Sequence, residues 1–203
     1  MTWIATVPYA EATGRLKTLY DRVKGPDDNV DNIMMAHSLR PHSMEGHMHL
    51  YKYVLHHTGN KVPKWMLEAL GVYVSQINQC GYCVEHHFQG MKRLLADDAR
   101  AAAIRAAFEA DAPEQAFDGA ELEMCRYAEK LTRDPAMINE AEIEALRVAG
   151  LDDGRILEVN QVVSYFCYAN RTVLGLGVST AGDIIGLSTR ITGRIREVSR
   201  SRG

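Results

Sequence analysis

Two cysteines separated by two residues, Cys80 and Cys83, stand with a histidine at His87 and a glutamate at Glu68 in the stretch EALGVYVSQINQCGYCVEHH. Thiols so close in sequence can cycle between dithiol and disulfide or hold a metal, and an imidazole near them can take a proton from sulfur. Cys80, Cys83 and His87 fall at i, i+3 and i+7, so a helix starting near Asn78 places all three on one face. Side chains three apart on a regular helix have Cβ atoms about 5–6 Å apart, whereas a disulfide wants about 3.8 Å. A frayed first turn closes that gap more readily than a helix middle, and Asn78 has the side chain of an N-cap. The helix dipole and a nearby imidazolium both favour thiolate at such an entrance. A two-unit fall in thiol pKa, worth about 2.7 kcal/mol, raises the thiolate fraction at pH 7 from roughly 3% to roughly three-quarters.

Glu68 constrains the elements that carry these groups. On one straight helix from Pro63 to Leu95 it would lie roughly 28 Å along the axis from His87, beyond any proton relay. A relay therefore predicts a break near Ile77-Asn78-Gln79 that folds the Glu68 helix back beside the cysteine helix. Without a break, Glu68 is an exposed helix-surface carboxylate.

Helical periodicity dominates the rest, with no sustained strand alternation, and the fold class is all-α. Leu16, Leu19, Tyr20 and Val23 stripe a first helix, a second runs around Asn32 to Leu39, and Pro41 opens a third. Further helices run from Pro63, from about Asn78, after an Asp97 cap, from about Gly119 to Thr132, and from an Asn139 cap to Ala149. A long apolar helix from about Asp153 to Leu174 is expected at the centre. Residues 1–60 are read as N-terminal helices, 61–185 as the core containing the C-x-x-C motif, and 186–203 as an Arg-rich tail, solvated or contacting another subunit. A faint echo of residues 76–93 in 159–177 carries little weight.

The 203 residues carry 23 basic and 26 acidic side chains, a formal charge of −3, which offers no broad basic field for nucleic acid. The first residues lack the pattern of a secretory signal, and no apolar run approaches the roughly 20 residues that span a bilayer. These features point to the cytoplasm, where a close cysteine pair is more often catalytic or metal-binding than structural. A zinc site at Cys80, Cys83 and His87 lacks a fourth ligand at finger-like spacing, and covalent haem attachment is excluded by Val84 after the second cysteine. No cofactor and no resident metal are expected. All eight histidines fall between His37 and His87; His47, His49, His56 and His57 read as surface histidines, and His86 as a neighbour facing away from Cys83. Cys125 and Cys167 read as inert core thiols, Met34, Met35, Met44 and Met48 as packing. Asn170-Arg171 is read as facing the site or a partner subunit, or as a buried cap.

The pattern Glu68, eleven residues, Cys80-x-x-Cys83, three residues, His87 resembles the alkyl hydroperoxidase D (AhpD)-like branch of the carboxymuconolactone decarboxylase superfamily, in particular its peroxidase-related members. The resemblance extends to ATGRLKTLYDRV, to HSLRPHSM and to LRVAGLDDGRILEVNQVVSYFCYANR. It implies an AhpD-like helical fold, a homo-oligomer, and a thiol peroxidase in which Cys83 attacks a hydroperoxide and Cys80 resolves the sulfenic acid. It further implies that His87 helps deprotonate Cys83 through a water while Glu68 orients that relay, and that an external dithiol or disulfide reductant resets the pair. The family's best-studied type has a histidine immediately before the second cysteine; here that residue is Tyr82, which is no base near neutral pH. Two other readings use the same residues: a lactone or carbon-acid enzyme to which the cysteines are incidental, and a non-catalytic zinc-binding module.

Overall fold

The computed structural model describes residues 2–186, and the Arg-rich tail beyond them lies outside the described residues. Helices α1 (Gly14–Val23), α2 (Asn32–Ala36) and α3 (Pro41–Tyr51) form the N-terminal part. They are followed by α4 (Lys64–Ile77), α5 (Gly81–Leu95), α6 (Asp98–Glu109), α7 (Gly119–Arg133), α8 (Glu140–Val148) and α9 (Asp153–Leu176). No strand occurs among the described residues, and no helix there is long and apolar enough to cross a membrane.

The stripe on α1 does what its spacing predicts: Leu16, Leu19, Tyr20 and Val23 are buried, packing with Met34, Met44 and Met48 in a cluster of their own. The predicted caps hold at two starts. Asp97 accepts from the Arg100 N–H, and Asn139 with Glu142 forms a reciprocal capping box.

The centre is α4, whose residues from Met66 to Ser75 are all buried. It pairs antiparallel with α5 and also packs on α9 and α7. Where α4 meets α9 there is no room for a Cβ: one built on Gly71 would lie 2.2 Å from the Phe166 ring. The main core fills the space among these helices with Tyr73, Phe108, Phe166 and the aliphatic residues around them. Cys125 is buried in that core, as expected for an inert thiol, and burial pushes its pKa up.

The segment after α9 returns across the N-terminal part. Asn32 Nδ2 donates to the carbonyls of Ser179 (2.8 Å) and Ala181 (3.0 Å), and Asn29 Nδ2 donates to that of Gly182 (3.1 Å). This return carries Asp183 to the entrance of α5, a placement that turns out to matter for the site.

Candidate active site

The break between α4 and α5 lies where the relay requires it, but its chemistry differs from the expected cap. Asn78 ends α4 and does not begin α5. Gln79 adopts the left-handed conformation (φ 56°), and the Cys80 N–H returns to the Ser75 carbonyl at 2.8 Å, closing α4 in the manner of a Schellman turn. Cys80 is itself the N-cap of α5, with non-helical dihedrals (φ −90°, ψ 80°). Because the first cysteine sits outside the regular helix, its sulfur comes within 2.9 Å of the Cys83 sulfur, as a loosened first turn allows. Asn78, freed from capping α5, donates through Nδ2 to Asn170 Oδ1 (3.0 Å), and Asn170 Nδ2 donates to Ser75 Oγ (3.0 Å).

Two thiols sharing one hydrogen cannot both ionise easily. The Cys80 pKa is lowered, first by the hydrogen bond from Cys83, against its own burial. The Cys83 pKa is raised well above its usual value, first by its hydrogen bond to Cys80 and then by burial. The Asn170 amide beside them favours charge on each sulfur. The helix-entrance argument anticipated a depressed cysteine pKa without choosing between the two sulfurs; the reduced pair places negative charge preferentially on Cys80. The reason is geometric. Cys80 occupies the cap position, where the Cys83 backbone N–H also favours charge, whereas Cys83 lies one turn deeper as the donor.

Glu68 is fully buried, not an exposed surface carboxylate, and its Oε2 accepts a hydrogen bond from His87 Nδ1 at 2.7 Å. With Nδ1 donating in that bond, Nε2 is the ring nitrogen left for proton transfer. Glu68 Oε1 has no hydrogen-bond partner, with His56 Nε2 3.6 Å away. His56 joins Tyr51 through a 2.8 Å hydrogen bond between Nε2 and the tyrosine hydroxyl. The Phe166 ring meets His87 edge-on at 4.6 Å and restricts its rotation.

Cys83 and His87 open onto a pocket that is partly open to solvent. Cys80 does not line it. The apolar wall comes from Val23, Met34, Met48 and Ala169, and Asp31, His47, Tyr82 and His86 also border the space. The surface reading of the histidines fails here: His47 and His86 are buried, and His56 is held near Glu68. Burial lowers the pKa of His47 to about 3 and of His56 to about 4, so both are neutral at physiological pH. His86 faces the same pocket as Cys83, stacked on Tyr82 with ring centroids 4.5 Å apart.

Sequence reasoning passed over Asp31 and Asp183, read Tyr51 only as part of the apolar stripe on the third helix, and left Asn170 undecided. Nothing in the local pattern marks them; each comes from an element distant in sequence. Tyr82 is no base, but its hydroxyl donates to Asp183 Oδ2 (2.7 Å) and accepts from the Ile33 N–H (3.2 Å). No group of three or more His, Cys, Asp or Glu side chains among the described residues is arranged to hold a metal ion.

No protein-family model and no curated protein matches the chain. Solved structures do. A peroxidase-related protein from Ralstonia eutropha JMP134, described as an alkylhydroperoxidase AhpD core, is 21% identical with a TM-score of 0.77, over 93% of this chain and 96% of that one. A peroxidase-related protein from Silicibacter sp. TM1040 is 23% identical with a TM-score of 0.74, over 88% of this chain and 91% of its own. The debrominase Bmp8 is 16% identical with a TM-score of 0.68, over 94% of each chain, and is also similar in its complex with 2,3,4-tribromopyrrole. At these identities the likeness establishes the fold.

Proposed function

We propose that this chain, whose fold is that of the AhpD-like, carboxymuconolactone decarboxylase-type superfamily, is a thiol-dependent oxidoreductase reducing hydroperoxides through a Cys80–Cys83 dithiol–disulfide cycle. The observation that carries this reading is the pair of sulfurs 2.9 Å apart, one lining a pocket shared with His87, whose imidazole is fixed by the buried Glu68.

In this reading the hydroperoxide enters at Cys83, because Cys80 has no face on the pocket. The hydrogen between the sulfurs moves to Cys80, leaving the thiolate on Cys83 with only a short displacement. Cys83 sulfur attacks the terminal peroxide oxygen; the S–O bond forms, the O–O bond breaks, and the leaving alkoxide takes a proton through the His87 relay to leave as alcohol. Cys80 then attacks the sulfenic acid sulfur, forming the disulfide and releasing water. One hydroperoxide and two thiols become one alcohol, one water and one disulfide, and an external dithiol returns the two electrons. His87 accepts and returns the proton at Nε2, and Glu68 positions it.

Stopped-flow mixing of the reduced protein with one equivalent of tert-butyl hydroperoxide tests the cycle. Two thiols per chain should disappear in one phase. Cys83→Ser should abolish consumption, and Cys80→Ser should consume one equivalent and accumulate a sulfenic acid that a diketone reagent traps. A Cys83→Ser protein as fast as wild type removes Cys83 from its role.

A second reading, favoured by the likeness to a debrominase and by the ring-lined pocket, has the same dithiol reduce a carbon–halogen bond: the halogen leaves as halide, one thiol proton takes its place on carbon, the other is released, and the two sulfurs form the disulfide. Bromide release from a bromopyrrole, measured against hydroperoxide consumption, separates the two.

A further inference from the structure

Bordering the same pocket is a second set of buried polar groups that the redox cycle does not use. Asp31 is 6% exposed and its Oδ1, bordering the pocket, has no hydrogen-bond partner. His86 is 3% exposed and its Nε2 likewise has none; Asp183 Oδ2 is 3.4 Å away but outside hydrogen-bond geometry. The His86 tautomer is set from behind. Its Nδ1 accepts from the Gly186 N–H at 3.4 Å, which leaves the ring proton on Nε2. Two residues that border the pocket thus each hold a buried polar atom without a hydrogen-bond partner, the acceptor Asp31 Oδ1 and the donor His86 Nε2, the latter 3.4 Å from Asp183 Oδ2.

Both are held rather than free to wander. The His86 ring stacks on Tyr82, and the Tyr82 hydroxyl is fixed by donating to Asp183 and accepting from the Ile33 N–H. Asp183 is in turn gripped by the Asn32 N–H, which donates to both its oxygens at 3.0 and 3.1 Å. A buried unpaired polar group is destabilising, and a fold that holds two of them facing one cavity is arranged to receive a complementary group.

We propose that Asp31 and His86 form the recognition end of the pocket and bind a hydroxyl group of an amphipathic organic substrate, the hydroxyl donating to Asp31 and accepting from His86. This rests on the reading of the pocket as the substrate site. His86 follows Cys83 by three residues on α5, which separates their Cβ atoms by about 5–6 Å. The substrate is therefore compact: its reducible group reaches Cys83, a body about one ring wide lies against Met34, Met48 and Ala169, and the hydroxyl meets Asp31 and His86. Hydrogen peroxide and simple alkyl hydroperoxides lack that second group and leave both polar atoms unpaired.

The test is an equilibrium titration that needs no turnover. Reduced wild-type protein is titrated calorimetrically with para-isopropylphenol and with its methyl ether, which keeps the ring and an acceptor oxygen but lacks the donor. The phenol should bind roughly tenfold tighter, about 1.4 kcal/mol. Asp31→Ala and His86→Phe, the latter keeping a ring to stack on Tyr82, should each bring the ratio within about twofold. Equal affinity of the two probes in wild type, or no binding of either up to the solubility limit, overturns the proposal whether or not the variants fold. Hydroperoxide consumption is measured separately. Rapid consumption without a phenol preference defeats only the recognition end, and a phenol preference that both variants abolish, without consumption, upholds it and defeats only the redox reading.

Discussion

Glu68 is a carboxylate placed where solvent cannot reach it, with one oxygen bonded to His87 and the other unpaired. Glu68→Gln keeps the shape but no longer favours a proton on His87 Nδ1. The second-order rate of thiol oxidation by tert-butyl hydroperoxide should fall about a hundredfold, while the circular dichroism spectrum stays that of wild type. Asp31 makes a different prediction, about stability. Burial, partly opposed by His86 and assisted by Asp183, raises its pKa from 3.8 to about 6. Between those values the folded protein holds a proton that the unfolded chain has released, so this group's contribution to stability falls as pH rises through that window and stays low above it. A rise from 3.8 to about 6 corresponds to about 3 kcal/mol. Asp31→Asn should therefore melt higher than wild type at about pH 8, and the difference should vanish near pH 3.5. His47 and His56 act in the opposite sense, since burial lowers their pKa and the unfolded chain takes up protons below about pH 6.5. Both proteins share those histidines, so the difference between them isolates Asp31.

At the scale of elements, the site depends on how α4 stops. Gln79 adopts a left-handed conformation disfavoured for residues with a Cβ, and this residue sets the angle at which α5 leaves and the position of Cys80 at its cap. Gln79→Gly should stabilise the fold by about 1 kcal/mol in urea melts, whereas Gln79→Val should destabilise it and slow disulfide formation together. Gly71 governs the neighbouring contact. A Cβ there meets the Phe166 ring at 2.2 Å, and Phe166 restrains His87. Gly71→Ala should destabilise the protein by about 1–3 kcal/mol through overpacking and lower the peroxide reaction rate, although residue 71 touches no substrate.

At the scale of the whole molecule, the pocket exists only because three distant parts of the chain meet. The relay sits between α4 and α5, the apolar wall comes from α1 to α3 and from α9, and the recognition end is braced by the segment after α9. Asp183 ties the last of these to the first, joining the Asn32 N–H to the Tyr82 hydroxyl. Asp183→Ala removes the acceptor of both and should lower stability by about 3 kcal/mol. Hydrogen exchange should show the loss at α2 and the first turn of α5, with protection of the α4–α7–α9 core unchanged.

The helical class, the positions of most helices, the pairing of Cys80 with Cys83 and the placing of Cys83 and His87 on one pocket were legible in the sequence, because each depends on spacing along one stretch of chain. The break at Gln79 was legible too, since Glu68 and His87 can meet only across a turn. Its detail was not: whether Asn78 closes one helix or opens the next depends on a single residue's φ, and both readings fit the same letters. Which sulfur carries the charge, the burial of His47 and His86, and the convergence of Asp31, Asn170 and Asp183 were decided by the tertiary structure alone. Spacing within an element fixes which residues share a face. Burial and the electrostatic partners of a polar atom depend on what packs against that face, and here those partners lie up to about a hundred and fifty residues away, as in the Asn32–Asp183 contact.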